Sequence, residues 1–560
     1  MKLQEKFKLY GIDDERSRKV VFPTRVVLTR GNVSGSEYLT DYKPAQVAIY
    51  NYHDQCTLDN RGATENAGVL VDFGRELHGT LTVSVWAMNG KYADYTIRLG
   101  ESVSEAMTPL SEVAKNPTND HANRDIKTSS GAWASNETNE SGFRFAYVEL
   151  TSPEMFMQLR CITATLIYRD IEYRGTFECS DPLLERIYDT AAYTAHLNMQ
   201  RYLWDGIKRD RLVWAGDMNT ELATILAVFG KNEVVPKSLD LVRDLTPVDA
   251  PMNGLSSYNL WWLLCHYEWY MNTGDIEYLS AQREYIKGLL TRYMTYIDEN
   301  GAEVLPEGRF FDWPTNDLPN EKHCGLQGLL RLALLRGGDI MKYLGESEVA
   351  DCCYRAAQRL LSHKPTPTAK QPAALLAIGG VCDAKEMFDD VIAKGGAAGL
   401  STFLGYYTLC ACAEAGEYEA ALDMIRGYWG KMLELGATTF WEDFNIDWAE
   451  NAAPIDEPVP EGKRDIHGDF GAYCYIGLRH SLCHGWASGP APYLAANVLG
   501  IKAVEPGFGK IRFEPHLSGL EWARGTYPTP YGDIKVEITK DSASCIVPDG
   551  IEIVGSPEVA

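Results

Sequence analysis

Along the first third of the chain apolar residues alternate with polar ones. Val83 and Val85 alternate with Thr82 and Ser84, and Tyr95, Ile97 and Leu99 alternate with Thr96 and Arg98. This is the period of two expected of strands with one buried face. Residues 143–150 and 162–168 add β-branched and aromatic runs, with turn signals at Asn60-Arg61-Gly62 and Met88-Asn89-Gly90. The stretch 111–141 is rich in Asn, Ser and Thr and reads as a long surface loop. Several strands separated by turns predict an N-terminal β-sandwich.

The pattern changes at Cys179-Ser180-Asp181-Pro182. Ser180 or Asp181 can cap a helix whose first turn holds Pro182, where the missing N–H is not needed. Leu183, Leu184, Ile187 and Ala191 follow at helical spacing. Onward to residue 500 the period predicts helices over 182–201, 215–229, 234–246, 256–273, 277–298, 322–343, 347–362, 368–379, 384–394, 399–414, 417–435 and 468–498. A break falls in the last near Gly489-Pro490. No fixed repeat is visible, which disfavours a solenoid, and successive helical hairpins in this number fit an (α/α)6 barrel. After Gly500 the period of two returns over 510–514, 525–527 and 533–538. The expected fold is multidomain α+β: an N-terminal β-sandwich (1–178), a central (α/α)6 barrel carrying catalysis (179–500) and a short C-terminal β domain (501–560).

Composition narrows the partners. Hydrophobic residues are 45% and charged residues 23% of the chain, as in a soluble globular protein. The net charge of −24 repels phosphate backbones and anionic headgroups, so neither nucleic acid nor a membrane surface is an expected partner. Thirteen cysteines without a CxxC pair read as reduced thiols rather than a disulfide scaffold or zinc site. The N-terminal MKLQEKFKLYGIDDERSRK lacks the apolar core of a secretory signal, which points to the cytoplasm. Residues 395–413 are uncharged over the length of a membrane span, but four glycines and two tyrosines make them a buried helix instead. Homo-oligomerisation is left open.

Chemistry concentrates in the connections between helices. Trp204 to Asp217 holds three carboxylates, three basic groups and two Trp. A solvated, salt-bridged loop is the plain reading, yet aromatic rings beside carboxylates suit a sugar, whose C–H faces stack while its hydroxyls donate. Gly436 to Phe444 sets Glu442 in an aromatic stretch, where lost solvation favours proton transfer. His484-Gly485-Trp486 and Phe311-Asp312-Trp313-Pro314 add polar–aromatic pairs. No GxSxG, Walker A, HExxH or strand-following GxGxxG occurs, and no His cluster has metal spacing, so neither a cofactor nor a metal is expected.

These residues carry a resemblance. Asp205-Gly206-Ile207-Lys208-Arg209-Asp210-Arg211-Leu212-Val213-Trp214-Ala215-Gly216-Asp217 resembles, loosely, the Asp-Cys-Pro-x-Arg-(Asp)-Glu-Arg/Lys-Leu-Gly-Trp-Thr-Gly-Asp loop of the inverting α-L-rhamnosidases of glycoside hydrolase family seventy-eight. Gly436-Ala437-Thr438-Thr439-Phe440-Trp441-Glu442 is similar to that family's Gly-Ala-Thr-x-x-Trp-Glu segment, and Asp312-Trp313 to its Gly-Asp-Trp loop. Val71 to Glu76, Arg98-Leu99-Gly100-Glu101, Gly175 to Asp181, Cys483 to Pro490, Glu505 to Phe508 and Pro528 to Gly532 extend the likeness over residues 65–538. The departures are Asp210 at the position of the family's acidic Glu, Gly206-Ile207 for Cys-Pro, Val213 and Ala215 for Gly and Thr, and Phe311 for Gly.

The resemblance implies an exo-acting glycoside hydrolase releasing terminal α-L-rhamnose with inversion, its partner a rhamnosyl glycoside. It implies Asp210 as general acid and Glu442 as the base that activates water. Asp205, Arg209, Asp217, Asp312 and His484 are the expected polar contacts to the sugar, and Trp214, Trp313 and Trp441 the apolar walls. A glycosidase for a different sugar on the same scaffold and a carbohydrate-binding homologue without catalysis are the alternatives.

Overall fold

The computed structural model describes residues 6, 11, 14–42, 54–113 and 123–554. Most of the N-terminal stretch inspected for a signal, and residues 114–122 of the polar segment, therefore lie outside the described residues.

The N-terminal third is built on the long strand Gly68–Met88, which pairs antiparallel with Phe156–Tyr168 and with Ser141–Leu150. The latter also pairs with Ala93–Gly100. Val83, Val85, Tyr95, Ile97 and Leu99, the positions that the alternation marks, share one core with Val69, Val71, Val148 and Ile162. The register slips between Asp72 and Leu77, where Gly74 takes a left-handed φ of 82°. A Cβ there would meet the Thr24 side chain at 3.0 Å, so glycine lets the strand bend. The segment 111–141 is not one loop: Asp125–Ser130 pairs with Ala93–Gly100, and Ser135–Glu137 with Gly68–Met88. These strands are polar because they lie largely at the water-facing surface, which hides them from a hydrophobic pattern.

Helices begin at Pro182–Asn198, capped by the Asp181 carboxylate accepting from the Leu183 N–H at 2.9 Å. Met218–Val228 packs on Tyr258–Thr273, that helix on Pro319–Tyr343, then Lys370–Ile378, Gly405–Glu414 and the short Pro490–Tyr493, which returns to Met218–Val228. Tyr258–Thr273 buries Trp261, Trp262 and Trp269 at the centre. The expected helix over 468–498 is largely absent. Only Pro490–Tyr493 and a π-helical turn, Leu494–Val498, are helical in its second half, and 468–489 is an irregular excursion. Gly471 and Gly477 have φ of 106° and 57°, which a helix cannot contain. The segment 395–413 is also broken, its helix starting at Gly405. Among the described residues no helix is long and apolar enough to cross a membrane. None of the thirteen cysteines forms a disulfide.

Thr176–Cys179, the strand ahead of the first barrel-type helix, pairs with Trp522–Thr529 rather than with the N-terminal sheet. It forms the edge of a four-stranded sheet with Gly532–Thr539 and Ser542–Ile546. The two ends of the helical region are thereby tied together.

Candidate active site

Three loops are knitted at the starts of the inner helices. Gly206 bridges His484, and the Gly485 N–H donates to the Asp205 carbonyl at 2.8 Å. The His484 N–H donates to Phe440 and the Glu442 N–H to Ser481, each at 3.0 Å. Between these loops lies a cavity of about 330 Å³, lined by Asp205, Arg209, Asp210, Trp214, Asp217, Trp313, Glu442 and His484 among others. That volume is of the order of a small-molecule site.

Its floor is a fixed array of charges. Arg209 donates from Nη2 to Glu442 Oε1 at 2.7 Å and from Nη1 to Asp210 Oδ1 at 3.1 Å. Those two carboxyl oxygens, from residues far apart in the chain, therefore lie within about 8 Å of one another across one planar guanidinium. Glu442, 2% exposed, also accepts from the Ser481 N–H at 3.1 Å. His484 stands between acids, Nε2 at 3.0 Å from Asp217 Oδ1 and Nδ1 at 3.6 Å from Glu442 Oε1. Asp217 accepts from the Tyr258 hydroxyl at 3.2 Å. Burial pushes Asp217 up against the pull of His484. Burial, then the charges of Asp210 and Asp217, pushes Asp205 well up. Behind them Glu221 is fully buried with neither oxygen hydrogen-bonded, and burial and the two aspartates push it well up. Its carboxyl fills the space a side chain at position 485 would need, a Cβ there lying 1.4 Å from Oε1.

Asp210 differs from these. Its side chain is 32% exposed, and both Asp210 and Arg211 adopt left-handed φ, 51° and 55°. Two consecutive non-glycine residues in this region store strain of about 1–3 kcal/mol each. Arg209 holds one of them. Arg211 Nη1 donates to the Glu140 carbonyl at 2.9 Å, and its guanidinium lies 4.8 Å over the Trp204 ring, away from the floor.

Eight of the ten residues expected at the site thus converge on one cavity. Asp312 and Trp441 do not line it. Asp312 has an extended backbone, so it points opposite to Trp313, caps the short helix Trp313–Thr315 and accepts from the Ser401 hydroxyl at 2.6 Å. Trp441 turns into the core, edge-on to Phe444 at 5.5 Å. Tyr258, Phe310, Cys474, Tyr475 and Arg479 line the cavity without having been singled out, and Trp486 lines it from the segment picked out with His484.

One group among the described residues could hold a metal: Glu101, Glu105 and His467 offer atoms within 4.8 Å of one another. Lys208 Nζ already occupies that pocket, 3.2 Å from Glu101, 3.0 Å from Glu105 and 3.5 Å from His467 Nε2. The cluster's cation is a side chain.

The buried acids behind the wall make stability pH-dependent. Burial pushes Asp312 up to about 7 and Asp443 likewise to about 7. In the unfolded chain both titrate near 4, so across the window from about pH 4 to 7 the folded state binds more protons and stability falls as pH rises. Asp312→Asn should make this fall shallower by up to about 1.4 kcal/mol per pH unit, read from denaturant midpoints at several pH values. Parallel profiles for the two proteins would show that Asp312 is ionised throughout.

Comparison with known proteins points to one group of enzymes. Residues 172–326 match the bacterial α-L-rhamnosidase six-hairpin glycosidase domain and residues 500–547 the bacterial α-L-rhamnosidase C-terminal domain. An α-L-rhamnosidase of Alteromonas sp. (strain LOR) is 23% identical over 448 residues, 72% of this chain and 46% of that protein. One from Formosa agariphila is 25% identical over 195 residues, 31% of this chain and 20% of that protein. The chain thus spans less than half the length of these relatives. The rhamnosidase of Bacillus sp. GL1, of glycoside hydrolase family 78, superposes with a TM-score of 0.71 at 20% identity, covering 93% of this chain and 55% of that one. A Klebsiella oxytoca rhamnosidase with rhamnose bound gives 0.66 at 20% identity, covering 86% and 96%. At such identities the superpositions establish a shared fold.

Proposed function

We propose that this chain, α-L-rhamnosidase-like in its helical and C-terminal domains, is an exo-acting hydrolase that releases terminal α-L-rhamnose with inversion. The ring of inner helices supports an (α/α)6 barrel as its scaffold. The observation that carries the reading is the Arg209 fork, which joins Asp210 and Glu442 on the floor of a sugar-sized cavity. Inversion needs an acid and a base about 6.5–9.5 Å apart, with water between base and sugar. The upper bound of about 8 Å across the guanidinium stays below the wide end of that range.

Each carboxylate has the surroundings its role asks for. Glu442 meets the closer arm of Arg209 and the Ser481 N–H, donors that serve an ionised base. Asp210 is the exposed partner on the longer arm, free to turn to a leaving oxygen at the mouth. Asp205 is a second reading for the acid, because it lines the same cavity and burial and the charges of Asp210 and Asp217 push it well up. Asp217 and His484 are placed to take sugar hydroxyls, with Trp214 and Trp313 as walls.

Release of p-nitrophenol from a panel of p-nitrophenyl glycosides is the first test, with turnover of the α-L-rhamnoside expected. Turnover of another glycoside alone would move the specificity. Sugar binding without any turnover would make the protein a binder. Asp210→Asn is expected to lower kcat about 10²–10⁴-fold on a rhamnoside with a poor leaving group and much less on an activated aryl rhamnoside. If Asp205→Asn shows that contrast instead, Asp205 is the acid. Proton NMR should show the first-formed sugar as the opposite anomer, and retention would remove water activation from Glu442.

A further inference from the structure

The closed end of the cavity holds the charges, so a terminal sugar bound there directs its leaving group to the mouth. Trp313 stands there, lining the cavity and only partly buried. Outside it lies Tyr473, 37% exposed, its ring stacked on Trp313 at 5.6 Å and 26°. The inner side of Trp313 meets Phe310 and Tyr475 edge-on, at 5.1 and 5.6 Å. An unbroken aromatic path thus runs from the sugar-sized chamber to solvent.

Tyr473 is held there at a cost. Its φ is 60°, a conformation that a bulky residue rarely adopts, in a loop between Gly471 and Gly477 that are themselves left-handed. Such strain persists where the surroundings over-determine it, as at ligand clamps. Of the charged side chains lining the cavity only Asp210 and Arg479 are not fully buried. The Asn253 amide is spent on the 205–217 loop, donating to the Val213 carbonyl at 3.0 Å and accepting from the Ala215 N–H at 2.9 Å. Leu212 and Ile476, from the loops that carry Asp210 and Tyr473, are 45% and 46% exposed. The net charge of −24 repels an anionic glycan.

We propose that the Trp313–Tyr473 stack is the leaving-group subsite and selects neutral glycosides whose aglycone is a flat aromatic ring system, with Tyr473 the specificity-determining residue. The inference rests on the glycosidase reading above. An aromatic aglycone continues the stack in offset geometry and covers the exposed ring, whereas a sugar there would meet few charged groups beyond Asp210 and Arg479.

Three rhamnosides with alkoxide leaving groups test it: the methyl, the 2-naphthylmethyl and a rhamnosyl-glucose disaccharide. Their kcat/KM values would be measured together with calorimetric binding to wild type and to Glu442→Gln. The naphthylmethyl glycoside should lead the methyl by about tenfold, and Tyr473→Ala should shrink that ratio about three- to tenfold while Tyr473→Phe preserves it. A ratio unmoved by Tyr473→Ala, or a preference for the disaccharide, would overturn the subsite. If no rhamnoside is cleaved but the naphthylmethyl compound binds more tightly, the hydrolase reading fails and the subsite stands. Equal binding of all three would remove the subsite as well.

Discussion

Glu442→Gln should lower kcat by about 10²–10⁴-fold while leaving the protein folded. Glu442 is the only carboxylate in the cavity that meets both Arg209 and a backbone N–H, at 2.7 and 3.1 Å. Glutamine keeps the shape but has a single carbonyl oxygen for those two donors. One of them then faces an NH2 group, at about 1–3 kcal/mol in stability. That loss is small beside the kinetic one and bears on folding, not on the water. KM should change much less than kcat, because the sugar's hydroxyls are assigned to Asp217 and His484. A kcat within tenfold of wild type would exclude Glu442 as the base. A matched fall in kcat and Tm would make it a structural acid.

What was legible in the sequence was local. Asp181-Pro182 announces a helix start through chemistry confined to one turn, and Asp181 caps it as expected. The loops at 205–217 and 436–444 declare themselves because carboxylates and tryptophans stand close together in the chain. What depends on direction or on distant partners was not legible. Neighbouring residues such as Asp312 and Trp313 face opposite ways, so a motif that names both places only one in the cavity. The helix expected over 468–489 fails because its glycines take left-handed φ, and apolar spacing alone does not register this. Tyr475 and Tyr258 reach the site through tertiary packing, and no short-range signal separates them from the other tyrosines of the chain.

The position of Arg209 itself leads to the second large effect, Lys208→Met. Lys208 is 3% exposed and donates to the carbonyls of Leu478 and His480 at 2.9 and 2.5 Å, besides facing Glu101 and Glu105. The two glutamates come from the N-terminal sheet region and the carbonyls from the loop that ends at His484, so one ammonium ties three segments at the root of Arg209. Burial pushes Glu101 up to about 7, with Lys208 pulling it back down. Methionine fills much the same volume but leaves Glu101 without a cation, Glu105 with Arg124 alone, and the Leu478 carbonyl without a donor. Removing one partner of a buried pair is worth about 3–5 kcal/mol, so the unfolding midpoint should drop clearly. Adding Glu101→Gln should restore part of it, because a neutral amide no longer needs the charge. In the single variant kcat should fall as well, since Arg209 loses its anchored neighbour. A Lys208→Met protein with wild-type midpoint and wild-type kcat would mean that the glutamates are already neutral in the fold and that the loop positions Arg209 without them.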